Sequence, residues 1–510
     1  MKTIPKRYAY ILMASVAMPT TSWAQDITLE EIVVTARKRD ESIFEIPVSV
    51  SAFSEGMLRQ AGIENAQDLS NYTPGLDFQQ VDFGGRNTPN IRVRGMIQQV
   101  ITPSTQIGAL FWDGSYIGGG GSIVPLGGLE RVEVIKGPQT AYFGRNTFAG
   151  AINYIPKRPG DEWEGNVSAS FSPTDHNEYD VNAGISGPIG SRVGVSLWAG
   201  YSRNGGDFSY SDGGPFAQFK DKSFNGTVTY EPTDDLSFRL TGYRTKADDT
   251  GTGVAVDFTT PAGACNIQYR GVAVNGLTGV ETPFSKDLST LTFGSFCGRF
   301  PSSPTLITPA TRFPTTAQLV NGALGVPALS AVNARSEKYG IIRTPKGGLG
   351  GYNQTYRIQL HGDYDFADHT LSVIASRANT GTLTRQDQFF GLPRPALMVG
   401  LEQATRELYY EARVASPQDQ GFRYLAGVSA YNQHYNLFSD PARAPQQVDR
   451  QRSVTEGVFG SFDYDFANNF TLSVEGRYTE EKLTAIEQGV VQTAATLPQF
   501  RTPCAATVCN

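Results

Sequence analysis

From residue 159 onward the chain is ruled by a two-residue rhythm of apolar and polar positions. Phe224, Gly226, Val228 and Tyr230 fall on one side of such a segment, and Asn225, Thr227 and Thr229 on the other. Leu236, Phe238 and Leu240 alternate with Ser237, Arg239 and Thr241, and Tyr356, Ile358 and Leu360 with Arg357, Gln359 and His361. Phe470, Leu472 and Val474 do the same with Thr471, Ser473 and Glu475. Side chains of a strand point to opposite faces in turn, so each segment predicts a strand with one apolar and one polar face. The polar face suits either the water around a β-sandwich or the lumen of a barrel whose apolar face meets lipid. The connections discriminate. Short turns at 187–191, 231–235, 365–368, 417–420 and 466–469 alternate with longer links at 204–222, 245–352, 381–403 and 435–452. That order belongs to a membrane barrel with brief turns at one end and extended loops at the other.

Residues 40–158 have a different texture and read as one compact domain of mixed elements. Ser54 is placed to cap a helix over 55–60, a second short helix follows at 65–69, and residues 72–76 turn the chain. Between 129 and 159, Val132 and Val134 face one way and Arg131 and Glu133 the other, which predicts a half-buried strand. Gly137-Pro138 then forces a turn, and Gly144 and Gly150 mark backbone packed closely against a neighbour. A phosphate-cradling reading of 137–146 fails. A Walker A loop ends in Lys-Ser/Thr after its second glycine, whereas here six residues separate Gly137 from Gly144 and Arg145 follows. The Gly118–Gly121 run lacks the strand-turn-helix setting of a dinucleotide site and reads as a flexible loop.

Composition adds boundaries. A chain of 510 residues holds two or more domains, and a net charge of -6 with a pI near 5.5 argues against a nucleic-acid partner. The 55 glycines, 23 tyrosines and 29 phenylalanines suit many strands, turns and aromatic girdles. At the N-terminus Lys2, Lys6 and Arg7 precede an apolar run over 8–18, and Ser22-Trp23-Ala24 supplies a small-residue cleavage site, so residues 1–24 read as an export signal. The run is too short for the roughly 20 residues of a spanning helix. Cys265, Cys297, Cys504 and Cys509 suit an oxidising compartment; their spacing suggests pairing 265 with 297 and 504 with 509, one of the possible connectivities. A zinc site is the rival, but the four histidines stand far from the cysteines in sequence, and no metal is expected.

The order Glu133-Val134-Ile135-Lys136-Gly137-Pro138, then Phe143-Gly144-Arg145-Asn146, then Gly150-Ala151-Ile152-Asn153 resembles the end of the plug domain of TonB-dependent outer-membrane receptors. Val93-Arg94-Gly95-Met96 and Phe111-Trp112-Asp113-Gly114 resemble two further plug strands of that family, and residues 466–482 one of its barrel hairpins. There are departures, among them Phe143 where Tyr is usual and Tyr154 and Pro156 after Asn153. The resemblance implies a transmembrane antiparallel β-barrel with an N-terminal α+β plug domain in the bacterial outer membrane. It divides the chain into a signal peptide (1–24), a periplasmic segment (25–39), the plug (40–158) and barrel (159–510).

Glu30, Glu31, Ile32, Val33, Val34, Thr35 and Ala36 look like the family's TonB box, an extended segment that adds to a sheet edge of a TonB-type energy-coupling protein. Only a few residues separate it from the cleavage site, which leaves no room for the signalling domain that some relatives carry, so transport without that signalling is expected. If the plug lies in a polar lumen, Arg92, Arg94, Arg131 and Arg145 are expected to pair with lumen carboxylates. The implied activity is energised uptake of a scarce extracellular ligand across outer-membrane lipid, with no covalent chemistry and no cofactor. Ferric siderophores or other iron complexes are the family's commonest cargo; cobalamin, saccharides and other chelates stay open, as does a passive porin-like barrel, against which the plug and box argue. About eleven alternating segments follow residue 159, against about 22 strands in plugged transporters. The expectation is therefore about half of a 22-stranded barrel, an incomplete receptor whose last residues, 504–510, have a loop's composition. The link 245–352 is expected to form a disulfide-tied external lid.

Overall fold

The computed structural model describes residues 33–39, 41–44, 46–63, 66–80, 89–96, 106–119, 124–172, 178–206, 208–209, 215–216, 218–249, 268–274, 281–287, 350–387, 398–441, 447–467 and 470–489. The export signal, box residues Glu30, Glu31 and Ile32, and all four cysteines, with the expected disulfides, lie outside the described residues.

Two strands open the described chain, β1 (Val33–Val34) and β2 (Glu41–Ser42), paired antiparallel. The plug follows: β3 (Ser49–Ser54), α1 (Glu55–Gln60), α2 (Ala66–Asn71), β4 (Leu76–Gln80), β5 (Pro89–Val93), β6 (Gly108–Trp112), β7 (Ser115–Ile117), β8 (Leu129–Lys136) and β9 (Gly150–Pro156). Its five-stranded sheet runs β3-β8-β9-β6-β7, with β6 and β9 parallel and the other pairs antiparallel. Ser54 caps α1 as its sequence position predicts, its hydroxyl accepting the Met57 N–H at 3.3 Å. Leu58 and Leu69 of the two helices are buried in one cluster with Val132, Val134, Ile152 and Trp112 of the sheet. Asp113 and Gly114 both have positive φ (46° and 80°), which gives the left-handed two-residue turn that joins β6 to β7 as a tight hairpin.

Strand β8 corrects one expectation. It is buried on both faces, Glu133 at 0% exposure as much as Val132. It lies between β3 and β9, and its second face is covered by the chain before the plug: Val34 and Ala36 pack with Ile135, Ala151 and Phe111. Alternation registered two faces correctly but could not report that the polar one was also covered.

Around the plug runs an open eleven-stranded sheet, each strand antiparallel to the next. Its members are β10 (Glu164–Ser172), β11 (Glu178–Pro188), β12 (Val193–Asn204), β15 (Phe219–Thr233), β16 (Leu236–Asp249), β19 (Gly350–Phe366), β20 (His369–Asp387), β21 (Met398–Ala415), β22 (Phe422–Pro441), β23 (Gln447–Ala467) and β24 (Phe470–Gly489). Two small hairpins branch from the outer links, β13 (Phe208–Ser209) with β14 (Pro215–Phe216), and β17 (Gln268–Val274) with β18 (Glu281–Asp287). The faces follow the predicted alternation inside out. Phe224, Val228, Ile358 and Leu360 are exposed outward while Asn225, Thr227 and Gln359 are buried against the plug. No helix among the described residues is long and apolar enough to cross a membrane.

The outer links are shorter than the alternation implied. β20 and β21 stay paired up to Asp387 opposite Met398, and β22 and β23 up to Ser439 opposite Gln447. The ladder continues where the apolar rhythm stops, because the backbone hydrogen bonds persist after the outward face has become polar.

Candidate functional site

The site to which the sequence points is the segment before the plug, and the structure shows how it is held. Val33 and Val34 pair with Ser42 and Glu41, folding the segment back on itself. Thr35 is clasped by Glu133: its N–H donates to one carboxylate oxygen at 2.9 Å and its hydroxyl to the other at 2.8 Å. Arg131 Nε donates to the same carboxylate at 2.8 Å, and Asn153 Nδ2 donates to the Thr35 hydroxyl at 3.1 Å. Burial pushes the Glu133 carboxyl above its ordinary range, opposed by Arg131 and by the Thr35 donors. A buried carboxylate without donors is costly, so these contacts bind the segment to β8 as well as satisfy Glu133.

Residues 37–39 fasten the segment to the barrel wall. Arg37 Nη2 donates to both oxygens of Asp463 on β23 at 2.9 Å, and its Nε to the Tyr142 hydroxyl at 3.2 Å. Lys38, with φ of 60°, puts its ammonium on Glu411 of β21. Arg39 donates to Gln418 at 2.8 Å and Ser461 at 3.1 Å. Burial lowers the Lys38 ammonium to about 8, against the pull of Glu411 and with the help of Arg413. Asp463 and Gln418 stand beside the short turns after β23 and β21, so the segment leaves the plug at the short-turn end of the barrel. Sequence reasoning assigns no role to Arg37-Lys38-Arg39. The signal was there, three cations directly after an extended apolar run, but their partners stand hundreds of residues away.

Of the four arginines expected to reach wall carboxylates, Arg145 does so, its Nη2 lying 3.0 Å from Glu481 of β24. Arg131 is taken by Glu133 and Glu130, its neighbours on β8. Arg92 meets Asp77 across the β4–β5 pair at 3.7 Å, and Arg94 is exposed near Gly137. For these three the expectation is corrected: carboxylates within the plug take Arg92 and Arg131, and Arg94 lies exposed beside Gly137.

Elsewhere the polarity is reversed, with the plug supplying the acid. Asp113, in the β6–β7 turn, accepts from Arg239 of β16 through Nε at 3.1 Å and Nη2 at 2.7 Å, and Gln359 donates to its backbone carbonyl at 3.0 Å. Burial alone would raise the Asp113 carboxyl, but Arg239, then His361, hold it far below the ordinary range. Trp112 Nε1 donates to Thr241 at 3.1 Å, and Arg357 Nη2 donates to the Tyr116 carbonyl at 3.2 Å. Gly118 and Gly119, expected in a flexible loop, are buried against the wall: Gln433 Nε2 donates to the Gly118 carbonyl at 3.0 Å, and a Cβ on Gly118 would lie 2.0 Å from the Tyr431 hydroxyl. Between these ties a cavity of about 430 Å³ is lined by Thr35, Lys38, Asp113, Arg239 and His361 among others. The whole arrangement is a plug tied to its wall by polar contacts, with one extended segment both bound to the central sheet and pinned at the short-turn rim.

Known proteins agree with this architecture. The TonB-dependent receptor plug domain matches residues 42–151. The iron-regulated outer membrane virulence protein of Vibrio cholerae is 27% identical over 190 residues, a match that takes in 35% of this chain and 28% of that protein. Among solved structures, the ferric yersiniabactin uptake receptor FyuA from Yersinia pestis superposes with a TM-score of 0.57 at 15% identity, covering 86% of this chain and 61% of that one. The ferripyoverdine receptor of the outer membrane of Pseudomonas aeruginosa gives 0.61 at 14% identity, covering 90% and 55%. The chain thus spans less than two thirds of the length of these relatives, with which it shares the plugged-barrel fold.

Proposed function

We propose that the chain, which carries a TonB-dependent receptor plug domain inside a barrel-type sheet, is a TonB-dependent outer-membrane receptor that serves energised uptake of an iron chelate, most simply a ferric siderophore, into the periplasm. The observation that carries the reading is the clasp of Thr35 on Glu133. A TonB-type partner that pairs with residues 30–36 and pulls would load β8, the strand between β3 and β9, instead of peeling a loose tail from the surface. The wall ties of Arg37, Lys38 and Arg39 would have to yield first, and those of Asp113 and Arg145 as the plug shifts. The iron cargo is inferred from what the relatives' names say they carry, and the division of the chain into signal, box segment, plug and barrel is part of the same proposal.

The test is uptake of radiolabelled iron, supplied as a panel of ferric siderophores, by cells with and without this gene. Loss of uptake of one chelate in the deletion strain, and equal loss when the proton gradient is collapsed, is the expected result. Unchanged uptake of every chelate in the panel would sink the cargo assignment, and uptake that survives collapse of the gradient would sink the energy coupling.

A further inference from the structure

The outward face of β12, β15 and β16 changes character about ten residues up from the short turns. Nearer the turns it is apolar, with Leu197, Val228 and Leu240 exposed. Higher up, at positions of the same parity, stand Arg203 on β12, Lys220 and Lys222 on β15, and Arg244 and Lys246 on β16. The opposite parity, Asn225, Thr227, Thr241 and Thr245, is buried toward the plug, so the five cations point away from the lumen. Their register opposes like charges: Arg203 faces Lys220 and Lys222 faces Lys246. Asp248, opposite Lys220, is the one carboxylate of that parity among the described residues on these three strands. Like charges directly opposite on one face destabilise a sheet unless an anion sits between them.

Two tyrosines fix the edge of the patch. The rings of Tyr179 and Tyr201 lie 5.8 Å apart, tilted at 41°, on the same outward face; Arg203 Nη1 donates to the Tyr179 hydroxyl at 2.9 Å, and the Lys222 ammonium lies 5.6 Å from the centre of the Tyr201 ring. Tyrosine marks the boundary between hydrocarbon and water, and about nine to eleven tilted residues carry a strand across the hydrocarbon. The five cations therefore stand at headgroup height in the leaflet remote from the short turns, their stems lying along apolar surface.

We propose that this patch binds the phosphate groups of phosphorylated lipids in the outer leaflet. A solute in the lumen cannot reach side chains that point outward at this height, and an apolar belt alone has no use for five clustered cations. Arginine takes phosphate through paired N–H donors while lysine supplies point charge, so a bridging phosphate would also relieve the opposed pairs.

The experiment is native mass spectrometry of the full chain extracted from outer membranes and exposed in detergent to bis-phosphorylated lipid A, to the same lipid after phosphatase treatment, and to inorganic phosphate. The unaltered protein should retain the phosphorylated lipid, lose about tenfold or more on its dephosphorylation, and retain no free phosphate; the combined K222E, R244E and K246E variant should show a comparable loss. Should the charge reversals prevent insertion, the milder K222Q and K246Q pair should still weaken retention. Equal retention of the dephosphorylated lipid, or undiminished retention by an inserted variant, overturns the proposal; binding of free phosphate in place of lipid would assign the patch to a soluble anion and overturn it also.

Discussion

Thr35 is bound to Glu133 through both its backbone N–H, at 2.9 Å, and its hydroxyl, at 2.8 Å. The extended segment is thereby attached to a carboxylate on a plug strand that is buried on both faces. Replacing Glu133 with Ala removes both acceptors and leaves Arg131 with Glu130 alone. A Cys placed at Thr35 in that background should react with a thiol reagent at least about tenfold faster than in the otherwise unaltered protein, as expected when a buried acceptor of about 1–3 kcal/mol is lost. Equal labelling rates would show that the clasp does not retain the segment.

Asp463 receives Arg37 on both oxygens and Arg39 on one. Asp463→Ala should remove the wall carboxylate that the two guanidiniums share, leaving Arg37 with Glu41 and Tyr142 and Arg39 with Gln418 and Ser461, and because trypsin cuts after arginine and lysine, the rate of cleavage at Arg37, Lys38 and Arg39 is the direct readout. It should rise by roughly tenfold to a hundredfold, since breaking a buried pair on one side leaves the other charge uncompensated. Lys38→Ala should act more weakly, because Glu411 keeps Arg413 at 2.9 Å.

The lowered Asp113 carboxyl makes a signed pH prediction. Its folded value lies below the unfolded one, so its contribution to stability is complete above the ordinary carboxylate value of about 4 and is lost only as pH falls below it. The tie between Asp113 and Arg239 should therefore persist at mildly acid pH. In Asp113→Asn, Tm at pH 7 should fall, and the further drop between pH 5 and pH 3 should be smaller than in the unaltered protein. An identical acid-side drop in both would show that Asp113 does not report there.

Gly118→Ala should destabilise the protein by about 1–3 kcal/mol, since the new methyl would have to displace the Tyr431 hydroxyl from 2.0 Å and the Gln433 amide from 2.7 Å. The measurement is Tm; an unchanged value would mean the wall yields freely at this point.

Val33→Pro tests the box itself. Proline removes the amide donor and blocks strand addition, so energised uptake should cease while ligand binding at the cell surface continues. Uptake at the unmutated rate would end the assignment of residues 30–36.

How much of this was legible can be read from individual residues. The outward placing of Phe224 and inward placing of Asn225 followed from alternation, and the capping of α1 by Ser54 from its residue type and position, because both are local. The burial of Glu133 was hidden, since a polar face on a strand looks the same whether water or another segment covers it. The fate of Arg92 and Arg131 turned on which carboxylate was nearest, Asp77, Glu130 or Glu133, which periodicity does not rank. Asp463 and Glu411 could not be found as partners of Arg37 and Lys38 because the barrel closes that distance only in three dimensions.

Strand β23 has 21 residues and β22 has 20, about twice what a hydrocarbon crossing takes. Their upper halves accordingly rise beyond the bilayer, which is why His434 and Arg452 can sit exposed and opposite each other there. On an intact cell the same pair of strands is thus divided into a lower half sealed by lipid and an upper half that an antibody or a membrane-impermeant reagent reaches. The upper wall thus offers such a reagent an exposed surface apart from the outer loops.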